Sequence, residues 1–187
     1  MKNIMFFAIC LPILAGCGAG DYISDVDCNA LCQKNLECDS GTDVTECVAE
    51  CEEVKLLIRG AVFDGMTDCV LDLPCNSEQD QACLDSAMSE APSGASDGLI
   101  RTMCKKQIDC AGGTAEMTVS ACVTATKAQA GEYLEYLNAF KSTLLSCLSS
   151  CVGKLSCTDL ESDDFMDPCM EQCGIPTGDD GGGSTGP

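Results

Sequence analysis

One cysteine pattern is written four times along this chain, and its spacing leaves few folds open. The copies read CNALCQKNLEC from Cys28, GMTDCVLDLPC from Gly65, IRTMCKKQIDC from Ile100 and CLSSCVGKLSC from Cys147, and they align without gaps. A polar loop and a second cysteine-bearing segment follow each copy. Residues four apart share one face of a helix, so Cys28 and Cys32 point the same way, as do Cys47 and Cys51 on the return segment. Two such helices laid antiparallel allow one unstrained pairing, the nested one. Cys32 then meets Cys47 beside the loop, and Cys28 meets Cys51 one turn further out.

The repeats test this pairing internally. Where the outer first cysteine is replaced, its outer partner is replaced as well: Gly65 with Ala87 in the second copy, Ile100 with Thr126 in the third. Where it is kept, as Cys147, the partner Cys173 is kept too. Coincident loss is what a bonded pair predicts. The inner bonds then join Cys32 to Cys47, Cys69 to Cys83, Cys104 to Cys122 and Cys151 to Cys169. One cysteine per hairpin remains: Cys38, Cys75, Cys110 and Cys157. Each lies six residues past the inner cysteine, about 240° of helical turn, and so faces away from its own hairpin partner. These four are expected to staple neighbouring hairpins, Cys38 with Cys75 and Cys110 with Cys157. Pro74 should end its helix just before Cys75.

The loops between paired segments begin or continue with Asp, Asn, Gly, Ser or Thr, residues that stop one helix and cap the next. Asp43-x-x-Glu46 reads as an N-cap with its N3 partner, and Asp167-Pro168 sets Pro at a first helical position. The expected fold is therefore all-α, a disulfide-stapled repeat of four helical hairpins in two halves. Hairpins 1 and 2 occupy residues 28–91, a breaker-rich linker 92–98, and hairpins 3 and 4 residues 99–175. A long helix is expected from about Met117 toward Leu137, with no sheet. The Gly, Asp and Ser tail, 176–187, is expected to be disordered. With no Trp and, after residue 16, only six aromatic residues, large core anchors are scarce. Crosslinks should carry much of the stability, since closing a loop of some 15 residues is worth about 3 kcal/mol in the chain-entropy model.

The N-terminus sets the compartment. Lys2 precedes an apolar run from Ile4 to Leu14, too short to span a bilayer and laid out like a cleaved signal peptide over residues 1–16. Leu14-Ala15-Gly16-Cys17 resembles the bacterial lipobox, which implies cleavage before Cys17, lipid on its thiol, and a short tether over 17–27. Gly18 rather than Asp comes after the cysteine, which under the usual sorting logic of such lipoproteins points to the outer membrane. Of the 18 cysteines, setting aside Cys10 and Cys17 leaves an even 16 in a compartment where disulfides persist. A formal net charge of -20 argues against nucleic acid and against docking on anionic lipid.

Candidate chemistry is sparse. There is no Cys-x2-Cys and no histidine, which removes the common zinc, thioredoxin and haem signatures. No segment has the oxygen-ligand spacing of an EF-hand loop. Gly94-Ala95-Ser96-Asp97-Gly98 matches the nucleophile-elbow pattern, but without a strand before it or a histidine to serve it, Ser96 or Asp97 reads as a helix cap and the chain is not read as an enzyme. The stripe Tyr133, Tyr136, Leu137, Phe140 and Leu144 has the spacing of one helix face, either a core face or the lining of a groove. No cofactor is expected.

As nested hairpins, the units resemble in layout the twin Cys-x3-Cys proteins of the mitochondrial intermembrane space, a likeness of topology alone. The whole chain resembles the cysteine-rich lipoproteins abundant in delta-proteobacteria, which implies an envelope address and brings no activity with it. Inward Cys-x3-Cys pairs in a helical bundle also resemble bacterial copper-storage proteins, which hold Cu(I) on thiolates. On that alternative Met103, Met117 and Met170 would assist the sulfur ligands. The coincident losses and the oxidising compartment favour disulfides. The expected function is a membrane-anchored binding or structural module of the cell envelope, with unknown protein or ligand partners. Its expected contact surfaces are the loops Asp39 to Glu46 and Thr158 to Asp167, with the Tyr133, Tyr136 and Phe140 face second.

Overall fold

The computed structural model describes residues 21–75, 80–112, 118–162 and 164–175. The expected signal segment 1–16, Cys17, Met117 and the tail 176–187 lie outside the described residues. Among the described residues ten helices run in the order α1 (Cys28–Cys38), α2 (Val44–Leu57), α3 (Gly60–Asp72), α4 (Asp80–Met88), α5 (Asp97–Cys110), α6 (Val119–Gln129), α7 (Gly131–Asn138), α8 (Ser142–Lys154), α9 (Cys157–Leu160) and α10 (Asp167–Gln172). No strand occurs among the described residues, and a single antiparallel bridge, Ile58 with Phe140, is the only extended pairing found there. The protein is all-α and disulfide-rich.

Caps set the hairpin turns. The Asp27 carboxylate accepts from the N–H of Asn29 at the start of α1, and Asp43 accepts from the N–H groups of Thr45 and Glu46 at the start of α2. Thr118 does the same for α6 through the N–H of Ala121. Pro168 sits in the first turn of α10. Ser156 and Asp159 close a reciprocal capping box that nucleates the one-turn α9 inside the fourth hairpin's loop.

The sixteen described cysteines form eight disulfides. Within hairpins they join Cys28 to Cys51, Cys32 to Cys47, Cys69 to Cys83, Cys104 to Cys122, Cys147 to Cys173 and Cys151 to Cys169. Cys38 to Cys75 links hairpins 1 and 2, and Cys110 to Cys157 links hairpins 3 and 4. These are the pairs read from the repeat. Pro74 does end its helix, since α3 stops at Asp72, and Cys75 bonds from beyond the helix end. The hairpin sulfurs are also the core. Cys28, Cys32, Cys83, Cys104 and Cys169 are almost wholly buried, and Cys28, Cys32 and Cys51 pack with Phe63 against Leu31, Val48 and Met66.

The two lost rungs are filled differently. In the second hairpin a Cβ placed on Gly65 would lie 3.7 Å from the Ala87 Cβ, so two small residues let α3 and α4 close where a disulfide is missing. In the third, Ile100 is buried and packs with the Cys104–Cys122 pair, using bulk where the first hairpin uses sulfur.

The chain forms two compact units. One contains the described residues up to Ala95 together with Glu135–Ser142, and the other runs from Ser96 to Leu134 and from Thr143 onward. The boundary at Ala95 falls inside the expected linker, but the expected second half, 99–175, gives up one segment to the first unit. The expected long helix is also broken: α6 ends at Gln129, Ala130 leaves helical geometry, and α7 begins at Gly131. Gly is the weakest ordinary helix former and marks the break.

Beyond α7 the chain is held by tertiary contacts rather than by a helix of its own. Residues 139–141 leave α7 through a turn and pass beside the α2–α3 junction, where Phe140 bridges Ile58. The Arg59 N–H donates to the Ala139 carbonyl at 2.8 Å, and the Lys141 N–H donates to the Leu57 carbonyl at 3.0 Å. The Arg59 side chain, 3% exposed, donates to the Asn138 carbonyl and pairs with Asp21 at 2.8 Å. Lys141, also buried, donates from Nζ to the carbonyls of Lys55 and Leu56, orphan acceptors of the last turn of α2. Burial holds the Lys141 ammonium below its ordinary pKa, an effect that Asp21 partly offsets.

Candidate functional site

A groove of about 720 Å³ lies in the first unit. The crosslink between hairpins borders it. Cys38, the last residue of α1, is tied to Cys75 with their Cα atoms 4.8 Å apart. That bond joins the ends of α1 and α3, and the space between these helices and α4 is left open along the side. Half-buried Leu31 of α1, Met66 and Val70 of α3 and Leu84 of α4 supply an apolar wall, which Leu73 and Pro74 continue beyond α3. Thr67 also lines it, but its hydroxyl is spent on the Phe63 carbonyl at 2.5 Å and is fully buried. The polar lining groups are Lys34, Asn35, Asp39, Thr42 and Gln81.

Two of these groups are fixed by local bonds. Asp39 accepts from the N–H of Gly41 at 2.9 Å and its carbonyl accepts from that of Thr42 at 3.1 Å, so the turn after α1 is ordered where it lines the groove. Gln81 donates to Asp85 at 2.8 Å and lies 3.5 Å from the Tyr136 hydroxyl. Lys34 is the one cation among the described lining residues. No cluster of three metal-ligating side chains occurs among the described residues. The groove offers an apolar trough with hydrogen-bonding groups, which is the chemistry of a binding site.

The surfaces expected from sequence are placed apart. The Asp39 to Glu46 loop reaches the groove through Asp39 and Thr42. The Thr158 to Asp167 loop belongs to the second unit, where it carries α9 and a half-buried Phe165. Ser156 hydrogen bonds hold the Asp159 carboxyl below the usual carboxylate range. The aromatic stripe is not one helix face. Tyr136 and Leu137 lie on α7, Phe140 sits in the extended bridge with Ile58, and Leu144 is buried on α8 in the second unit. The Tyr133 side chain lies outside the described residues, whereas Tyr136 is exposed at the Gln81 end of the groove's rim. Ser96 is the N-cap residue of α5 and Asp97 opens its first turn, where Asp97 pairs with Lys127 at 2.6 Å. Of the methionines weighed as copper ligands, Met103 is half-buried on α5 and Met170 half-buried on α10.

Sequence pattern does not reveal the groove, because its wall residues read as core. Leu31, Val70 and Leu84 occupy ordinary apolar positions of three helices, and the one signal present is the Cys38 to Cys75 staple between hairpins. In comparisons with known proteins, no family model, no curated protein and no solved structure matches this chain.

Proposed function

We propose that this chain is a lipid-anchored binding module of a bacterial cell envelope, acylated at Cys17 and sorted to the outer membrane. Its ligand seat is the disulfide-bordered groove between α1, α3 and α4. The observation that carries the binding reading is the groove itself, an apolar trough whose end is crosslinked by Cys38 and Cys75. A site framed this way is pre-formed, and a ligand entering it orders little protein. The matching ligand class is a small elongated apolar molecule with a hydrogen-bonding end for Lys34, Asn35 or Gln81. The leader and the lipobox-like Leu14 to Cys17 support the address, as do eight disulfides, which persist in an oxidising compartment. No helix among the described residues is long and apolar enough to cross a membrane.

Titrating the oxidised protein with the fluorescent apolar probe anilinonaphthalene sulfonate tests the seat. Val70→Gln and Leu84→Gln, each at a half-buried position, should weaken saturable probe binding about tenfold, the cost of a mispaired polar group at an apolar contact. Unchanged binding in both variants would remove the groove as the seat. The copper alternative requires thiolates, and with every described cysteine bonded in a pair it requires prior reduction of those disulfides. Thiol titration of protein taken from the envelope distinguishes the two.

A further inference from the structure

The N-terminal corner of the first unit is fastened at several points. The Asp21 carboxylate pairs with Arg59 at 2.8 Å and accepts from the N–H and hydroxyl of Ser142. The Tyr22 carbonyl accepts from the N–H of Gly60 at 3.1 Å, and the Tyr22 hydroxyl donates to Asp64 at 2.6 Å. Gly60 permits this approach, since a Cβ there would fall 2.4 Å from the Tyr22 ring carbons. The Ser24 hydroxyl, buried, accepts from the N–H of Val26. The chain is therefore held rigidly from Asp21 onward. Yet on this fastened segment Tyr22 is 50% and Ile23 59% exposed, and Leu56, whose carbonyl holds Lys141, is 59% exposed.

We propose that this corner, led by Tyr22 and Ile23, seats in the headgroup region of the membrane that carries the lipid anchor. The inference rests on acylation at Cys17. Four peptide steps separate Cys17 from the fastened Asp21, a reach of at most about 15 Å. A lipid at Cys17 thus holds this corner, and no freely swinging domain, against the bilayer. Local charge agrees with that placement in a chain of net charge -20. Of its 10 cations, Lys55, Arg59 and Lys141 all converge here, on the Val26 carbonyl, on Asp21 and on the end of α2. Arg59 and Lys141 offset Asp21, and Lys55 offsets Glu52, which lowers the cost of bringing these charges up to a headgroup layer. An aromatic ring with a polar tip beside an exposed isoleucine is the chemistry of the membrane interface. Because the acyl chains already secure attachment, the seat governs orientation and not affinity.

The chain contains no Trp, so Ile23→Trp introduces a single reporter at an exposed position. The full acylated protein is reconstituted in phosphatidylcholine vesicles with bromine near the headgroup end of the acyl chains. Acylation is read separately by intact mass, and folding by an unchanged helical circular dichroism spectrum. The expected result is a blue-shifted emission quenched at least twofold by the brominated lipid, and lost when Cys17→Ser protein is mixed with the same vesicles. Tyr22→Trp provides a second reporter, one residue nearer the anchor, with the same expected quenching. Acylated protein whose Trp emission is neither shifted nor quenched in either variant overturns the seat and leaves the anchor standing. A mass showing no lipid on Cys17 overturns the anchor, and the seat with it.

Discussion

Arg59 shows how a single residue decides a local path that sequence pattern leaves open. It stands at the N-cap position of α3, where a small polar residue is the usual choice, and it caps nothing with its side chain. Its guanidinium instead binds the Asn138 carbonyl and Asp21, so it fastens two segments far away in sequence. Replacing Arg59 by Met leaves Asp21, whose side chain is 11% exposed, without its direct ion-pair partner, and should destabilise the protein by about 3 kcal/mol in denaturant unfolding with disulfides intact. Arg59→Lys should recover less than half of that, because an ammonium cannot serve both directions of the fork. Asp159 supplies the pH test. Hydrogen bonds from Ser156 depress its folded pKa below the unfolded value, so its contribution is complete at neutral pH and is lost as pH falls through that depressed folded value. Tracking Asp159 by carboxyl NMR should place its midpoint below that of an ordinary Asp, and Ser156→Ala should return it toward the ordinary range.

At the scale of elements, the hairpins are legible in the sequence because two independent periodicities agree in them. Cysteines four apart mark a helix face, and their coincident replacement marks the partner across the hairpin. After Ala130 the one signal is helix-forming composition, which α7 and α8 follow, and tertiary pairing with the α2–α3 junction overrides it only at residues 139–141. Nothing in the residues 135–142 themselves announces that Arg59 and Lys141 will pair there, since the partners are backbone carbonyls that carry no sequence signature. The groove is hidden for a related reason, because a wall and a core are built from the same apolar side chains. The missing rung of hairpin 2 offers a direct check on element packing. The 3.7 Å separation at Gly65 and Ala87 matches the usual Cβ spacing of a disulfide. Gly65→Cys with Ala87→Cys should therefore form a ninth bridge on oxidation, seen as a loss of two hydrogens by mass. Because it encloses the loop already closed by Cys69–Cys83, it should add well under the roughly 3 kcal/mol of an isolated bridge. A pair of free thiols at these positions would contradict the packing of α3 on α4.

For the whole molecule, sulfur takes the place of a large aromatic core. Phe63, Leu99, Ile100 and Leu148 are the largest fully buried side chains, and the rest of the buried set is dominated by cysteines and small residues. Reduction should consequently unfold the protein, with loss of its helical circular dichroism signal at 37 °C in reductant alone, whereas the oxidised protein remains helical. Chains of this size usually carry enough apolar core to survive loss of one bridge, so removing all eight at once is the informative case. The most direct test of the account is peptide mapping without reduction, on protein isolated from the envelope under thiol-blocking conditions. No blocked cysteine is expected among the sixteen from Cys28 onward, with Cys28 linked to Cys51, Cys38 to Cys75 and Cys147 to Cys173. A Cys28 to Cys147 linkage, or a majority of cysteines recovered as blocked thiols, would contradict it.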